Sequence, residues 1–421
     1  MQSLIKRISK LLKLDISYLA KGGLWTTLSF VVGTLGSVVT MIAFGNLLPR
    51  ETYGTYNYLL SLGASLSFLT LSGIGPAVMR AVARGYESIV PQALRLSFKY
   101  NSLAVLTILA VASYYGVKGN ELFATSLFLL AIAYPVTEVF HLYKQILTAR
   151  RRFDLLTKIT SIITLVGALV TVIALLLTDN ILVLIGIYTT MSIIPNVLAY
   201  HYITRGMSRS LPDQVQVREM KRTALHFTGA GAIGVIASYI DKVLLFQVAG
   251  PGALAVYGFA IAGPERLKSL VKNWGSVALP KLTRRSLEQI HDAVYNRIFL
   301  SLVLGTGLFL IYLLIAPILF NIFLPKYLDA VPYSQALALT LVTTPISVYI
   351  GSVFSSQNML RAIYALNFGN HLSRIILYVI MVYLWQTWGL IIASVTSSLI
   401  NALMSIAIWE IEYRRLKTKN E

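Results

Sequence analysis

Residues 150–209 read RRRFDLLTKITSIITLVGALVTVIALLLTDNILVLIGIYTTMSIIPNVLAYHYITRGMSR. The stretch opens on Arg150, Arg151, Arg152 and Lys158, then runs to Arg205 without another Lys or Arg. Between them lie two apolar segments, 159–178 and 181–203, joined only by Thr178-Asp179-Asn180. About 20 helical residues at 1.5 Å rise cross a ~30 Å hydrocarbon layer. Thr-Asp-Asn is turn chemistry. The stretch reads as a helical hairpin through a membrane, with both basic ends on one side.

The same pattern extends in both directions. Twelve apolar segments recur at roughly 24–48, 57–79, 96–117, 122–148, 159–178, 181–203, 225–249, 253–279, 298–324, 332–357, 367–387 and 388–409. Of the 36 Lys and Arg, 32 lie at the two termini, in the even-numbered connections or on the helix ends beside them. The odd-numbered connections hold Arg50, Lys118 and Lys326, and Lys242 lies inside segment 7. The positive-inside rule places both termini and the even connections in the cytoplasm, which requires an even helix count. The outer connections are short: Leu48-Pro49-Arg50-Glu51, Lys118-Gly119-Asn120-Glu121, Ala249-Gly250-Pro251-Gly252 and Gln386-Thr387 are turns.

Composition agrees. Hydrophobic residues make up 56% of the 421 and charged residues 13%, against about 25% charged in soluble domains. A net charge of +19 would suit nucleic acid in a soluble chain. Here it is spread over helix ends, where it sets orientation and meets anionic lipid, and no nucleic-acid partner is expected. There is no cysteine, so disulfides and thiolate chemistry are excluded. Residues 1–20 alternate Leu4, Ile8, Leu11 and Leu12 with Lys6, Arg7, Lys10 and Lys13. They read either as an amphipathic helix on the cytoplasmic membrane surface or as a charged tail.

The longest break, Arg205 to Arg222, carries Ser208, Ser210, Pro212 and Asp213 and reads as a linker. The predicted organisation is an N-terminal amphipathic segment 1–20, a first lobe 21–204 with helices 1–6, a cytoplasmic linker 205–222, a second lobe 223–410 with helices 7–12, and a cytoplasmic tail 411–421. The halves look like weak repeats. LPRETYGTYNY (48–58) follows segment 1 and AGPGALAVYGF (249–259) follows segment 7, so Tyr56 falls on Tyr257. Gln145–Ala149 and Asn358–Ala362 fall near corresponding ends of segments 4 and 10. A parallel repeat of this kind suits a transporter that binds substrate between halves and rocks them.

Charges inside the spans cost at least ~2.5–3.5 kcal/mol each and should face a cavity or a partner. Segment 4 carries Tyr134, Glu138, His141 and Gln145 on one helical face, either lining a cavity or making a structural pair between helices. Glu138 and His141 form one Glu-x-x-His, but a metal site would need a second copy and none exists. Segment 8 carries Glu265, Lys268 and Lys272 on one face, with Arg266 one step round. Snorkelling to the interface suits Lys272 and suits Glu265 poorly. Asp241 in segment 7 is expected to point inward, away from Lys242. Segment 11 carries Asn367, His371, Arg374 and Tyr378, and segment 2 ends on Arg80 and Arg84, each set on one face. The predicted cavity cations are Arg80, Arg84, Arg266, Lys268, His371 and Arg374. They suit an anionic substrate such as a pyrophosphate or acidic sugar. Gly73-Ile74-Gly75-Pro76, Pro135, Pro195, Pro264, Pro317 and Pro345 interrupt backbone ladders inside the spans. No catalytic set, nucleotide-binding sequence or metal cluster is present, so neither an enzyme nor a cofactor is expected. The buried carboxylates Glu138, Asp241 and Glu265, with His141 beside Glu138, are the candidates for a coupling H+ or Na+.

Several stretches carry a resemblance. They are Asn46–Tyr56 after segment 1, Gly73–Arg80 in segment 2, Ile240-Asp241-Lys242 with Gly250, Ala255-Val256-Tyr257, Ala278–Leu282 and Gly389–Ser394. Taken together, and over almost the whole chain, they resemble the multidrug/oligosaccharidyl-lipid/polysaccharide (MOP) flippase superfamily, and within it the bacterial Wzx-type O-antigen flippases. The resemblance implies an all-α integral membrane fold, two MATE-like six-helix lobes around a central cavity. It implies movement of an undecaprenyl-pyrophosphate-linked oligosaccharide from the cytoplasmic to the periplasmic leaflet of the bacterial inner membrane, in lipopolysaccharide synthesis. It further implies an ion gradient as the energy source, a monomer, and a polymerase and chain-length protein as pathway partners. Such flippases share no fixed site residues, so no residue role transfers. Three other readings compete. A drug or cation antiporter of the superfamily would need a surplus of acids in its cavity. A lipid II or teichoic-type exporter is the second, although lipid II flippases carry two extra helices. A membrane glycan polymerase or ligase would need a large outer loop.

Overall fold

The computed structural model of the chain describes residues 16–207, 213–283 and 285–420, with only the backbone of 16–22, 274–281 and 419–420. Residues 1–15 of the amphipathic segment and 208–212 of the linker lie outside the described residues. Among the described residues every regular element is an α-helix or a 3-10 turn. Among the described residues nine helices are long and apolar enough to cross a membrane, ten with one bent pair counted. Their surfaces are apolar: Leu169 is 60% and Leu176 66% exposed, on a helix of mean hydropathy 2.6. Side chains of that kind face lipid rather than water, so the chain is a multi-pass membrane protein.

The chain divides into two compact units. The first comprises residues up to Leu47 together with Leu66–Ala232. It holds α1 (Ile16–Leu47), α3 (Ile74–Ala83), α4 (Val90–Val117), α5 (Glu121–Phe140), α6 (Leu142–Ala149), α7 (Phe153–Leu177), α8 (Ile181–Thr204) and the start of α9 (Gln214–Leu282). Here α1 packs on α7, α4 on α5, α5 on α8 and α3 on α6. The hairpin of residues 150–209 forms as read: α7 ends at Leu177, and the Asn180 side chain caps α8 by accepting from the Leu182 N–H at 2.9 Å. One core gathers Ile74, Val78, Val90, Tyr143, Ile146 and Tyr200, from four helices.

The second unit comprises Leu48–Ser65 and the chain from Ile233 onward. Besides the rest of α9 it contains α2 (Arg50–Ser65), α10 (Leu287–Phe323), α11 (Val331–Ala338), α12 (Thr340–Ser356) and α13 (Leu360–Asn420). Its core includes Ile290, Val294, Ile350, Phe354 and Trp409. Where the sequence placed the whole of segment 2 in the first lobe, its outer part α2 groups with the second unit. There Tyr53 stacks on Phe259 at 4.5 Å and Tyr58 on Phe246 at 3.9 Å. A Cβ at Gly54 would run into the Pro251 carbonyl, so this approach requires glycine.

Two elements are longer than one crossing. The 69 residues of α9 are broken at Gly250 (φ 83°) and the 61 of α13 at Trp385 and Gln386. Past the second break, a Cβ at Gly389 would strike the Met381 backbone. The bent pair is segment 2 itself. Between α2 and α3 lie a 3-10 turn, Leu66–Leu69, and four residues outside any helix. The freed backbone groups find side chains in the first unit. Asn101 Oδ1 accepts from the Leu71 N–H at 2.9 Å, and Thr228 Oγ1 accepts from the Gly73 N–H at 2.9 Å. Segment 4 is one span, Glu121–Ala149, whose hydrogen bonding tightens at His141. There the Lys144 N–H donates to the His141 carbonyl at 2.9 Å while the backbone stays helical (φ −61°, ψ −11°).

Candidate functional site

The second unit encloses a cavity of about 350 Å³. Glu265, Lys268 and Lys272 enter it from α9, at the spacing of three and four that keeps a helix face constant. Asn367, Asn370, Arg374 and Tyr378 enter from the first half of α13. Ser394, Ser397, Ser398 and Asn401 enter from its second half, and Thr344 and Ser347 from α12. The wall thus carries three cations, one carboxylate and a band of amides and hydroxyls.

The charges are held differently. Lys268 Nζ donates to Glu265 Oε1 at 2.8 Å, with 17% of the Lys268 side chain and 46% of the Glu265 side chain exposed. Arg374 Nε donates to the Tyr378 hydroxyl at 2.8 Å, and the guanidinium lies 5.0 Å from the Tyr378 ring centre. That hydroxyl also lies 3.0 Å from Ser394 Oγ. The Arg374 fork is therefore fixed through one nitrogen, leaving its remaining N–H groups for a ligand. Asp241 is 2% exposed and takes a 2.9 Å hydrogen bond from the Tyr257 hydroxyl through Oδ2. Its Oδ1 has no hydrogen-bond partner among the described residues. Two lysines and an arginine against one carboxylate give the wall a positive surplus that attracts anions. The amides and hydroxyls supply uncharged donors and acceptors of the kind sugar hydroxyls need.

The residues anticipated from sequence separate into those that meet here and those that do not. Lys268, Arg374 and Glu265 line the cavity, joined by Lys272. Arg266 is exposed and lies off that wall. His371 lies against α9 instead: a Cβ at Gly234 would come within 3.0 Å of its Nε2, and its buried Nδ1 has no hydrogen-bond partner among the described residues. In the first unit Arg80 and Arg84 are both exposed and border a small hollow with Glu219, to which Arg84 is paired at 2.9 Å. Glu138 is exposed and His141 half-buried. No group of three or more His, Asp or Glu with metal-ligand geometry occurs among the described residues. Asn370, Ser394, Ser397, Ser398 and Asn401 were missed. Their signal is a spacing of three and four, along segment 12 for Ser394, Ser397, Ser398 and Asn401 and along segment 11 for Asn370 between Asn367 and Arg374. Neutral polar groups are common in membrane helices and stand out little.

A family profile described as "Polysaccharide biosynthesis protein" matches residues 19–284. No curated protein sequence matches significantly. Three solved structures are similar to the chain. One is the outward-facing conformation of a multidrug resistance MATE family transporter of the MOP superfamily, 16% identical with a TM-score of 0.61 over 95% of this chain and 96% of that one. The second is an inward-facing conformation of such a transporter, 15% identical with a TM-score of 0.63 over 92% and 96%. The third is a MOP superfamily transporter from Pyrococcus furiosus Vc1, 15% identical with a TM-score of 0.60 over 95% and 96%. At such identities the likeness establishes the fold alone, that of the MOP transporters. With the family profile matched over most of its length, the chain belongs to the polysaccharide biosynthesis protein family.

Proposed function

We propose that this protein is a flippase. It moves an undecaprenyl-pyrophosphate-linked oligosaccharide repeat unit from the cytoplasmic to the periplasmic leaflet of a bacterial inner membrane by alternating access. The observation that carries the reading is the cavity of the second unit, where Lys268, Lys272 and Arg374 stand beside a band of Asn and Ser. A pyrophosphate or acidic sugar suits the cations, and neutral sugars suit the amides and hydroxyls. A cation exporter would want the opposite balance. In this reading each break, at Gly250 and at Trp385–Gln386, is a turn between two crossings, which makes twelve in all with both termini cytoplasmic. The protein works as a monomer, with a polymerase and a chain-length protein as pathway partners. Repeated transfer against accumulation needs energy, and the family's ion gradient would act through Glu138, Asp241 or Glu265, with Glu138 and His141 the first pair to test.

The test is genetic complementation in cells that lack their own flippase and make the cognate repeat unit. Arg374→Ala and Lys272→Ala together should abolish surface polysaccharide at unchanged protein level. Normal display in that double variant would remove the reading of this cavity as the substrate site.

A further inference from the structure

The first unit carries a second recess that the proposed transport does not use. Its floor is Val90, Pro91 and Leu94 of α4 and its wall the last turns of α8, from Tyr200 to Thr204, closing on Arg205 and Met207. Its volume is about 620 Å³. The recess lies where one membrane span begins, at Glu87, and another ends, at Thr204, so it sits at the level of the lipid interface. Its two ends differ in chemistry. Tyr200 and Val90 belong to the buried core and Leu94 packs against it, giving an apolar floor fixed in place. At the rim, Tyr202 is 68% exposed, and His201 and Arg205 are exposed as well. Tyrosine at this depth is typical of the headgroup boundary. The neighbouring Arg152 is tied to Asp154 by two hydrogen bonds of 3.1 and 3.2 Å. Arg205 takes part in none of the ion pairs among the described residues.

We infer that this recess is a binding site for an anionic phospholipid, with the phosphate on Arg205, the headgroup against His201 and Tyr202, and the upper part of an acyl chain along Leu94 and Pro91. An apolar slot ending in one uncompensated guanidinium and a phenol matches a lipid that is apolar at one end and negative at the other. A guanidinium fork meets phosphate oxygens bidentately. Basic pockets between membrane helices hold anionic headgroups in this manner. The proposed orientation places this end in the cytoplasmic leaflet, where the anionic lipids are concentrated. The lipid would brace the junction of α4, α5 and α8 in the first unit, where Phe140 lies 5.3 Å from Tyr200 and 6.1 Å from His201, centre to centre.

The test uses the full-length protein in mild detergent, titrated with palmitoyl-oleoyl phosphatidylglycerol and followed by native mass spectrometry and thermal unfolding. Phosphatidylcholine with the same chains and inorganic phosphate are run beside it. The expected result is one retained phosphatidylglycerol and a rise in Tm, neither of them produced by phosphatidylcholine or by phosphate alone. Arg205→Gln should weaken retention about five-fold, roughly the worth of one interfacial cation. Leu94→Trp, which fills the slot and leaves the charge, should abolish retention. Arg297→Gln, an exposed cation of the second unit, should leave it unchanged. Retention that is equal in Arg205→Gln and wild type overturns the inference. So does equal stabilisation by phosphatidylcholine, which would mark a slot for any acyl chain. Stabilisation by phosphate alone would mark a simple anion site and overturns it too.

Discussion

Both units put basic residues at the ends of apolar helices, yet they use them in opposite ways. In the first unit three of them, Arg84, Arg150 and Arg152, are tied to carboxylates at the surface. Arg84 pairs with Glu219, and Arg150 clasps both oxygens of Glu87 at 2.7 and 2.6 Å. In the second unit three cations turn toward one cavity, with Glu265 among them on the wall and the buried Asp241 within electrostatic reach of Arg374. The distinction is not in the number of charges but in where they point. Lys268 of the cavity is itself paired with Glu265, and Arg205 of the first unit takes part in none of the ion pairs among the described residues. A paired surface cation is worth little to stability and offers little to a ligand. A cation held by one hydrogen bond beside a polar void keeps most of its donors in reserve.

The sharpest way to break the comparison is to remove one cavity cation. Arg374→Ala should cost ~1.5–3 kcal/mol of binding to an anionic glycan, about 10- to 150-fold in affinity. Transport into vesicles loaded with the lipid-linked substrate should fall correspondingly. Arg374→Lys keeps the charge but loses the fork, so it should recover only part. If Arg374→Ala and Arg84→Ala reduced transport equally, the two units would not differ as described.

Neutral isosteres sharpen the same comparison for the acids. Glu138→Gln in the first unit, and Asp241→Asn and Glu265→Gln in the second, keep shape and remove charge. At least one should leave the fold and substrate binding intact while removing the dependence of transport on ΔpH or sodium. Unchanged ion dependence in all three would exclude coupling through these groups. Asp241, with one oxygen unpartnered at 2% exposure, is the acid whose loss should also be felt in stability.

How far the sequence foretold these differences depends on the element. The hairpin at 159–203 is legible at its turn and its far end, where Asn180 and Arg205 mark the limits within a residue or two, while its first helix starts at Phe153, six residues ahead of the apolar run. The start of α4 is not. The apolar run begins near residue 96, but the helix begins at Val90, where Pro91 sits in its first turn and Gln92 and Arg95 hide it from hydropathy. Nor is the start of α10 at Leu287, eleven residues ahead of its apolar segment, although Ser286 and Gln289 form a capping box that was readable. At the site, Glu265, Lys268 and Arg374 were found because charge inside a span is costly and therefore conspicuous. Ser394 and Asn401 cost little in a helix, so only their spacing spoke for them. The break in segment 2 was expected at Gly73–Pro76. It lies earlier, over Leu66–Gly73, because Asn101 and Thr228, far away in sequence, supply the missing hydrogen-bond partners there.

Those partners allow a test confined to the first unit. Asn101 is 2% exposed, and besides accepting from Leu71 its Nδ2 donates to the Pro135 carbonyl at 3.4 Å. Asn101→Leu would strand the Leu71 N–H in a dry setting, costing ~1–3 kcal/mol. The measurement is thermal unfolding in detergent, with Asn101→Asp as the variant that keeps the acceptor. A Tm in Asn101→Leu equal to that of the wild type would show that the break holds itself without this side chain.

The smallest effect belongs to the surface pairs of the first unit. Arg84 and Glu219 are 47% and 56% exposed and meet through one 2.9 Å contact. Such a pair is expected to contribute ~0.2–1 kcal/mol, reduced further by salt. Arg84→Ala and Glu219→Ala should each shift Tm by no more than a degree or two, the typical response of a chain this size to a sub-kilocalorie change. The double variant should resemble either single one, and 0.5 M salt should erase the differences. Transport should persist in all three. A large loss of transport in Arg84→Ala that Glu219→Ala does not share would make Arg84 a substrate contact after all. The contrast between surface cations in one unit and cavity cations in the other would then have to be redrawn.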